Sequence, residues 1–139
     1  MSIMKAIAYA DGGSRGNPGP AGIGAVLQDA RGQTIHTVSR AIGLATNNVA
    51  EYTALTSILE RALELGYDEI EVRMDSELVV RQMIGQYRVK NEGLLPLFQT
   101  AKALSARFRS FSIKHVLREF NKDADRLANQ AMDIAAKQN

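Results

Sequence analysis

Cysteine and tryptophan are absent from this chain of 139 residues, and histidine occurs only at His36 and His115. Without thiols there is no disulfide framework, no cysteine nucleophile and no thiolate cage for zinc or an iron–sulfur cluster. Two histidines cannot build a multi-histidine centre, so any bound metal takes oxygen ligands, which favours magnesium, manganese or calcium. No apolar run approaches the ~18 residues that a membrane span needs. The opening Met1-Ser2-Ile3-Met4-Lys5 lacks the long apolar core and small-residue cleavage site of a secretory signal. A cytoplasmic protein with no membrane partner is expected.

What remains is ordinary globular material, with 45% hydrophobic and 23% charged residues, which excludes disorder and collagen-like repeats. The length suits one domain over residues 1–139, able to bury about two-thirds of its unfolded surface without a staple. No repeat, linker or obligate interface stands out, and a monomer is expected. The net charge of +2 hides an asymmetry. Residues 1–72 carry 5 Lys/Arg against 8 Asp/Glu, whereas residues 73–126 carry 11 against 6. A basic second half suits a polyanion partner, and equally a solvated surface.

Lys5 to Asp11 alternates with both faces uncharged after Lys5, the pattern of a central strand. The turn-rich Gly12-Gly13-Ser14-Arg15-Gly16-Asn17-Pro18-Gly19-Pro20 follows. Strands over Gly22–Gln28 and Thr34–Ile42, joined by a hairpin turn at Asp29–Gly32, complete an antiparallel meander. Asn47 or Asn48 then caps a helix from about Val49 to Leu65, with Glu51 in its first turn and Gly66 past its end. Val49, Tyr52, Leu55, Leu59 and Leu63 form its buried stripe. Ile70, Val72 and Met74 alternate as a fourth strand ending at Asp75, and Ser76 caps a short helix to Ile84. A polar stretch over Gly85–Gly93, a helix over Leu94–Phe108, a strand over Ser110–Leu117 and a terminal helix over Asp123–Lys137 finish the chain. The order β-β-β-α-β-α-α-β-α demands parallel crossovers after the meander, hence a mixed sheet with helices on its faces.

Four acids stand where an ordinary surface carboxylate is unexpected: Asp11 and Asp75 at strand ends, Glu51 and Asp125 near helix starts. Singly, Glu51 and Asp125 also fit as favourable helix N-terminal charges, worth ~0.3–1 kcal/mol each. Asp75 could cap a helix and Asp11 could open a turn. Together they can converge at the sheet edge where open α/β sheets hold ligands. Carboxylates gathered there repel one another unless a divalent cation neutralises them.

The motifs Asp11-Gly12-Gly13-Ser14 after a strand, Asn47-Asn48-x-Ala50-Glu51 opening a helix, Met74-Asp75-Ser76 ending a strand and Asn121-x-x-Ala124-Asp125 opening the last helix resemble the type 1 ribonuclease H signature. The resemblance spans almost the whole chain. It implies a ribonuclease H-like α/β fold with a five-stranded mixed sheet, three antiparallel strands followed by two parallel ones, flanked by helices. It also implies hydrolysis of the RNA strand of RNA–DNA hybrids, leaving 5′-phosphate and 3′-hydroxyl ends. Asp11, Glu51, Asp75 and Asp125 match the family's metal-binding acids. Two Mg²⁺ or Mn²⁺ ions ~4 Å apart would activate the attacking water and stabilise the leaving oxygen.

For substrate grip, Gly12, Gly13, Ser14, Arg15, Gly16 and Asn17 offer backbone groups with few side chains in the way. Asn17, Asn47, Asn48 and Ser76 are candidate polar contacts, the asparagines for the 2′-hydroxyl that marks RNA. Turn formation and helix capping account for the same asparagines. Double-stranded RNA is a second candidate partner, and a catalytically silent hybrid-binding module on the same fold is the alternative function.

Two departures from the family pattern stand out. The basic, tryptophan-containing protrusion of many bacterial members is reduced here to about Gly85–Leu94, with Arg88 and Lys90 only. Arg81 and Lys102 could extend that grip or simply be solvated. The resemblance implies a mobile residue before the last acid that assists product release; many members carry histidine there, and Arg118 is its positional match and a catalytic candidate, while His115 reads as a half-buried strand residue. His36 is assigned no role.

Overall fold

The computed structural model describes residues 3–138. Strands β1 (Lys5–Ser14), β2 (Gly19–Asp29) and β3 (Thr34–Ala45) form the antiparallel meander. Helix α1 (Asn47–Glu64) crosses to β4 (Glu69–Met74), and α2 (Glu77–Met83) and α3 (Leu95–Ser105) lead to β5 (Ser110–His115). A 3-10 turn over Arg118–Phe120 precedes α4 (Lys122–Gln138). The sheet order is β3-β2-β1-β4-β5, with β1–β4 and β4–β5 parallel, so the expected mixed five-stranded sheet is present. No helix among the described residues is long and apolar enough to cross a membrane.

β1 is central because its neighbours need no charge from it. Ala6, Ala8 and Ala10 are fully buried beneath α1, and Tyr52, Leu55, Ile58 and Leu59 of that helix pack over them. The expected α1 stripe is broader than the sequence suggests. Val49 and Leu63 are half-buried, while Ala50, Ala54, Ile58 and Ala62 are buried. The helix is covered on two sides, by the sheet and by α3, so more than one stripe is apolar.

Several boundaries move for tertiary reasons. Gly12-Gly13-Ser14 belongs to β1 rather than to a turn, because Gly12, Gly13 and Ser14 pair with Ile23, Gly22 and Ala21 of β2. The cap of α1 is Thr46, whose Oγ1 accepts the Val49 N–H at 3.2 Å, not Asn47 or Asn48. Glu51 consequently falls beyond the first turn. α3 stops at Ser105, leaving Phe108 buried in the turn that follows, and β5 stops at His115.

Both sheet faces are bare at the positions where helices come closest. A Cβ on Gly12 would collide with the Ala50 carbonyl of α1, and one on Gly24 with the backbone of Ala124 and Ala128 in α4. Gly24 pairs with Asp11 across the β1–β2 ladder, so α4 lies directly over the position of that acid. Gly24→Ala is expected to lower stability by about 1–3 kcal/mol through overpacking, measured by urea or thermal unfolding. An unchanged midpoint would show that α4 can back away without loss.

Candidate active site

The register explains how the acids meet. Ala10 pairs with Met74 in the parallel β1–β4 ladder, so Asp11 and Asp75 emerge side by side at one sheet edge. α1 descends onto the Gly12 side and presents Glu51, and α4 lies on the opposite side and presents Asp125 from its first turn. The four carboxylates line one open cleft of about 410 Å³.

Their mutual electrostatics are unfavourable. Asp11 is 8% exposed, and its carboxyl is pushed up to about 8. Burial is the main cause, followed by the charge of Asp75, a hydrogen bond with Asp125, and the charges of Asp125 and Glu51. Glu51 is pushed up to about 7 by burial, against a hydrogen bond with Ser76 that lowers it, with Asp75 raising it further. Arg118 supplies a positive group, its Nη2 lying 3.2 Å from Asp125 Oδ1. Among the described residues, no three His, Asp or Glu side chains already converge as a finished metal cage.

The residues singled out in the sequence divide by place. Gly12, Gly13, Ser14, Arg15, Asn47 and Arg118 line the cleft with the four acids. Asn47 ties α1 to β1, its Oδ1 accepting the Ser14 N–H at 2.8 Å, and its own N–H donates to Asn17 Oδ1 at 3.1 Å. Arg15 is held by Asp133 at 2.8 Å and by Asn129 at 3.3 Å, both on α4. Asn17 and Asn48 instead line an adjacent hollow of about 310 Å³, with Thr46, Asn91 and Gly93. Gly16 lies in the turn before β2 at φ +118°, away from the cleft wall.

Two expectations change, and two lining residues are new. Ser76, expected as a polar contact for substrate, has a buried side chain whose hydroxyl accepts the Val79 N–H at 3.2 Å and bonds Glu51. His115 is exposed at the end of β5, not half-buried. Asn129 and Met132 line the cleft although the sequence did not single them out. Their signal was the spacing 125, 129, 132, which shares one helical face with Asp125.

The description "Reverse transcriptase-like" belongs to a family model that matches residues 9–131, which includes all four acids. The bifunctional protein Rv2228c of Mycobacterium tuberculosis is 53% identical over 96% of this chain, which spans 37% of that relative's length. The N-terminal RNase H domain of Rv2228c superposes with a TM-score of 0.95 at 51% identity, covering 97% of this chain and 98% of that one. RNase H1 of Halobacterium salinarum gives 0.91 at 45% identity, covering 94% and 99%. LC11-RNase H1, solved in complex with an RNA/DNA hybrid, gives 0.88 at 48% identity, covering 94% and 98%. With a matching model across both sheet halves and near-complete structural overlap at about half identity, this chain belongs to the ribonuclease H family.

Proposed function

We propose that the chain, as a single domain, hydrolyses the RNA strand of RNA–DNA hybrids endonucleolytically, leaving 5′-phosphate and 3′-hydroxyl ends. The observation that carries this reading is the under-neutralised cleft: four carboxylates from four elements, with Asp11 and Glu51 raised to about 8 and about 7. Such a site suits hard divalent cations, because only oxygen donors are offered and the repulsion falls when positive charge enters. Asp11, Glu51, Asp75 and Asp125 are the ligands we assign to two Mg²⁺ or Mn²⁺ ions. When bound, the ions supply activation of the attacking water and stabilisation of the leaving oxygen.

The chain's own groups do the rest. Ser76 keeps Glu51 turned toward the cleft through its hydroxyl. Arg118, 73% exposed on its side chain, is held by Asp125 and is placed to meet a substrate phosphate at the cleft mouth. The end of β1 presents Gly12 and Gly13, over which a sugar–phosphate backbone can pass closely. Asn47, with its Oδ1 taken by Ser14, has its amide Nδ2 to offer a 2′-hydroxyl. The hybrid seen on LC11-RNase H1 supports this partner for a chain of the same fold.

Labelled RNA in an RNA–DNA hybrid, incubated with Mg²⁺ and then Mn²⁺, tests the reading, with double-stranded RNA as a parallel arm. Wild type is expected to cut the hybrid, and Asp75→Asn to lose at least about a hundredfold in rate, equivalent to ~3 kcal/mol of transition-state stabilisation. Equal inactivity of both in either metal, with hybrid binding retained, would replace the enzyme by a silent binding module.

Stability reports on the same cleft. Asp11 ordinarily titrates at 3.8 and here at about 8, so the folded protein keeps a proton that the unfolded chain gives up. Its effect on stability is therefore absent at low pH and grows unfavourable as pH rises from about 4 through about 8, with Glu51 acting the same way up to about 7. In EDTA, the wild-type Tm is expected to fall over that window. Asp11→Asn should flatten the decline and melt about 5 °C higher at alkaline pH. Adding Mg²⁺ or Mn²⁺ should restore the wild type by linkage. A lower Tm for Asp11→Asn at pH 8.5 would show that the acids are not crowded.

A further inference from the structure

Asn121 lies beneath the cleft, 1% exposed, its own N–H donating to the Arg118 carbonyl at 2.9 Å, and makes three further connections. Its Nδ2 donates to the Ala10 carbonyl at 3.0 Å and to Asp75 Oδ1 at 3.0 Å. Its backbone carbonyl accepts the Asp125 N–H at 3.0 Å. The residue before Asp11, the carboxylate of Asp75 and the peptide of Asp125 thus meet on one side chain and its backbone. The orientation of the amide is fixed by chemistry, since both groups facing Nδ2 are acceptors and only an NH₂ can face them. Oδ1 is turned away, buried, and without a hydrogen-bond partner among the described residues.

An unpaired buried carbonyl costs about 1–3 kcal/mol, so packing stability alone does not favour an asparagine at this position. Capping does not demand one either, because serine, threonine and aspartate serve equally at a helix start. What asparagine alone supplies among those four is an uncharged atom with two N–H donors, the requirement of a carbonyl and a carboxylate 3.0 Å away on either side. With Oδ1 of Asp75 pinned, that carboxylate loses its rotation and its Oδ2 becomes the oxygen available to the cleft.

We propose that Asn121 is a positioning residue that orients Asp75 toward a divalent cation. This rests on the reading of the four acids as a cation site. Removing the amide lets Asp75 turn freely while Asp11, Glu51 and Asp125 stay on their elements, so cation affinity falls more than substrate affinity. Partners that orient a ligating side chain carry about 10–100-fold in metal affinity or activity.

The test is a Mn²⁺ titration of thermal stability without substrate, alongside steady-state cleavage of an RNA–DNA hybrid. Asn121→Ala is expected to raise the Mn²⁺ midpoint about tenfold or more and to lower kcat by a similar factor. With Mn²⁺ saturating for both proteins, so that the cleft carries its cations in each, KM for the hybrid should stay within about twofold, the signature of a change confined to the reacting centre. Asn121→Asp, similar in size but with an acceptor in place of the donor, should be at least as impaired. Should it fail to fold, Asn121→Ala decides alone. In an Asp75→Asn background the alanine substitution should move the midpoint less than about threefold, because its effect acts through the Asp75 carboxylate. An unchanged midpoint in the wild-type background, or an equal shift in both backgrounds, overturns the proposal and leaves Asn121 as a folding residue. No Mn²⁺-dependent stabilisation of wild type would overturn the cation site itself. Mn²⁺ binding without hybrid cleavage would sink only the hydrolytic reading, and the titration would still decide Asn121.

Discussion

Backbone-to-backbone approach of two helices onto one pair of strands is the constraint on which the rest of this structure depends. Carboxylates from a sheet edge and from two helices can share a cleft only if nothing bulky holds the layers apart. The alanines of β1 bring α1 down on one face, and Gly12 lets Ala50 touch the sheet. Gly22 and Gly24 do the same for α4 on the other, against a helix face of Ala124, Ala128 and Ala131. Protein layers usually stand about 10 Å apart, set by interdigitating side chains. Here small residues close that gap locally, and Asp11 lies between the two close approaches.

The same closeness is what makes the site electrostatically costly. Burial beneath two helices removes water from Asp11 and Glu51, and Asp75 then raises both. Hydrogen bonds soften the conflict without resolving it. Ser76 steadies Glu51, Asn121 steadies Asp75 and Arg118 approaches Asp125, so each of these three acids has a polar neighbour. Asp11, the most shielded, is left to share a hydrogen bond with another carboxyl group. Among the described residues only Arg118 pairs with any of the four carboxylates, while Arg15 is turned to Asp133, so the cluster is a stability liability of the kind found where a cation or a reaction makes use of it.

Most of the architecture was legible because it is local. Strand alternation in β1 and β4, the hairpin at Asp29–Gly32 and the four acids on their elements all follow from short-range pattern, and the sheet and cleft contain them as expected. Local rules failed where a distant partner took over. Asn47 looked like a helix cap, but its side chain is engaged 33 residues away at Ser14, and Thr46 does the capping. Gly12 to Ser14 looked like a turn because their pairing with β2 is invisible in composition. Ser76 looked available to substrate because burial is not a local property. Asn121 is the extreme case: its side chain meets a carbonyl 111 residues earlier, and no window along the chain contains both groups.

The charge split also changes meaning once residues have positions. The surplus of Lys/Arg in residues 73–126 suggested a surface for a polyanion, yet several of those cations are spoken for. Arg73 and Lys114 both bind Glu71 on the sheet, Arg81 binds Glu77, and Arg118 binds Asp125. Lys102 donates to the Met83 carbonyl. Arg107 and Arg109 precede β5, at the sheet edge opposite the one where Asp75 ends β4. Arg88 and Lys90 lie beside Asn91, which lines the hollow next to the cleft, and Lys122 and Arg126 stand at the start of α4. So the cleft has carboxylates at its centre, with Arg15 and Arg118 as the cations that line it. On the proposed reading, attraction of a polyanion to such a surface comes largely from divalent charge placed among the acids, with lysine and arginine contacts adding to it. The acids then serve both the cations and the substrate: without cations the cleft repels a phosphate backbone.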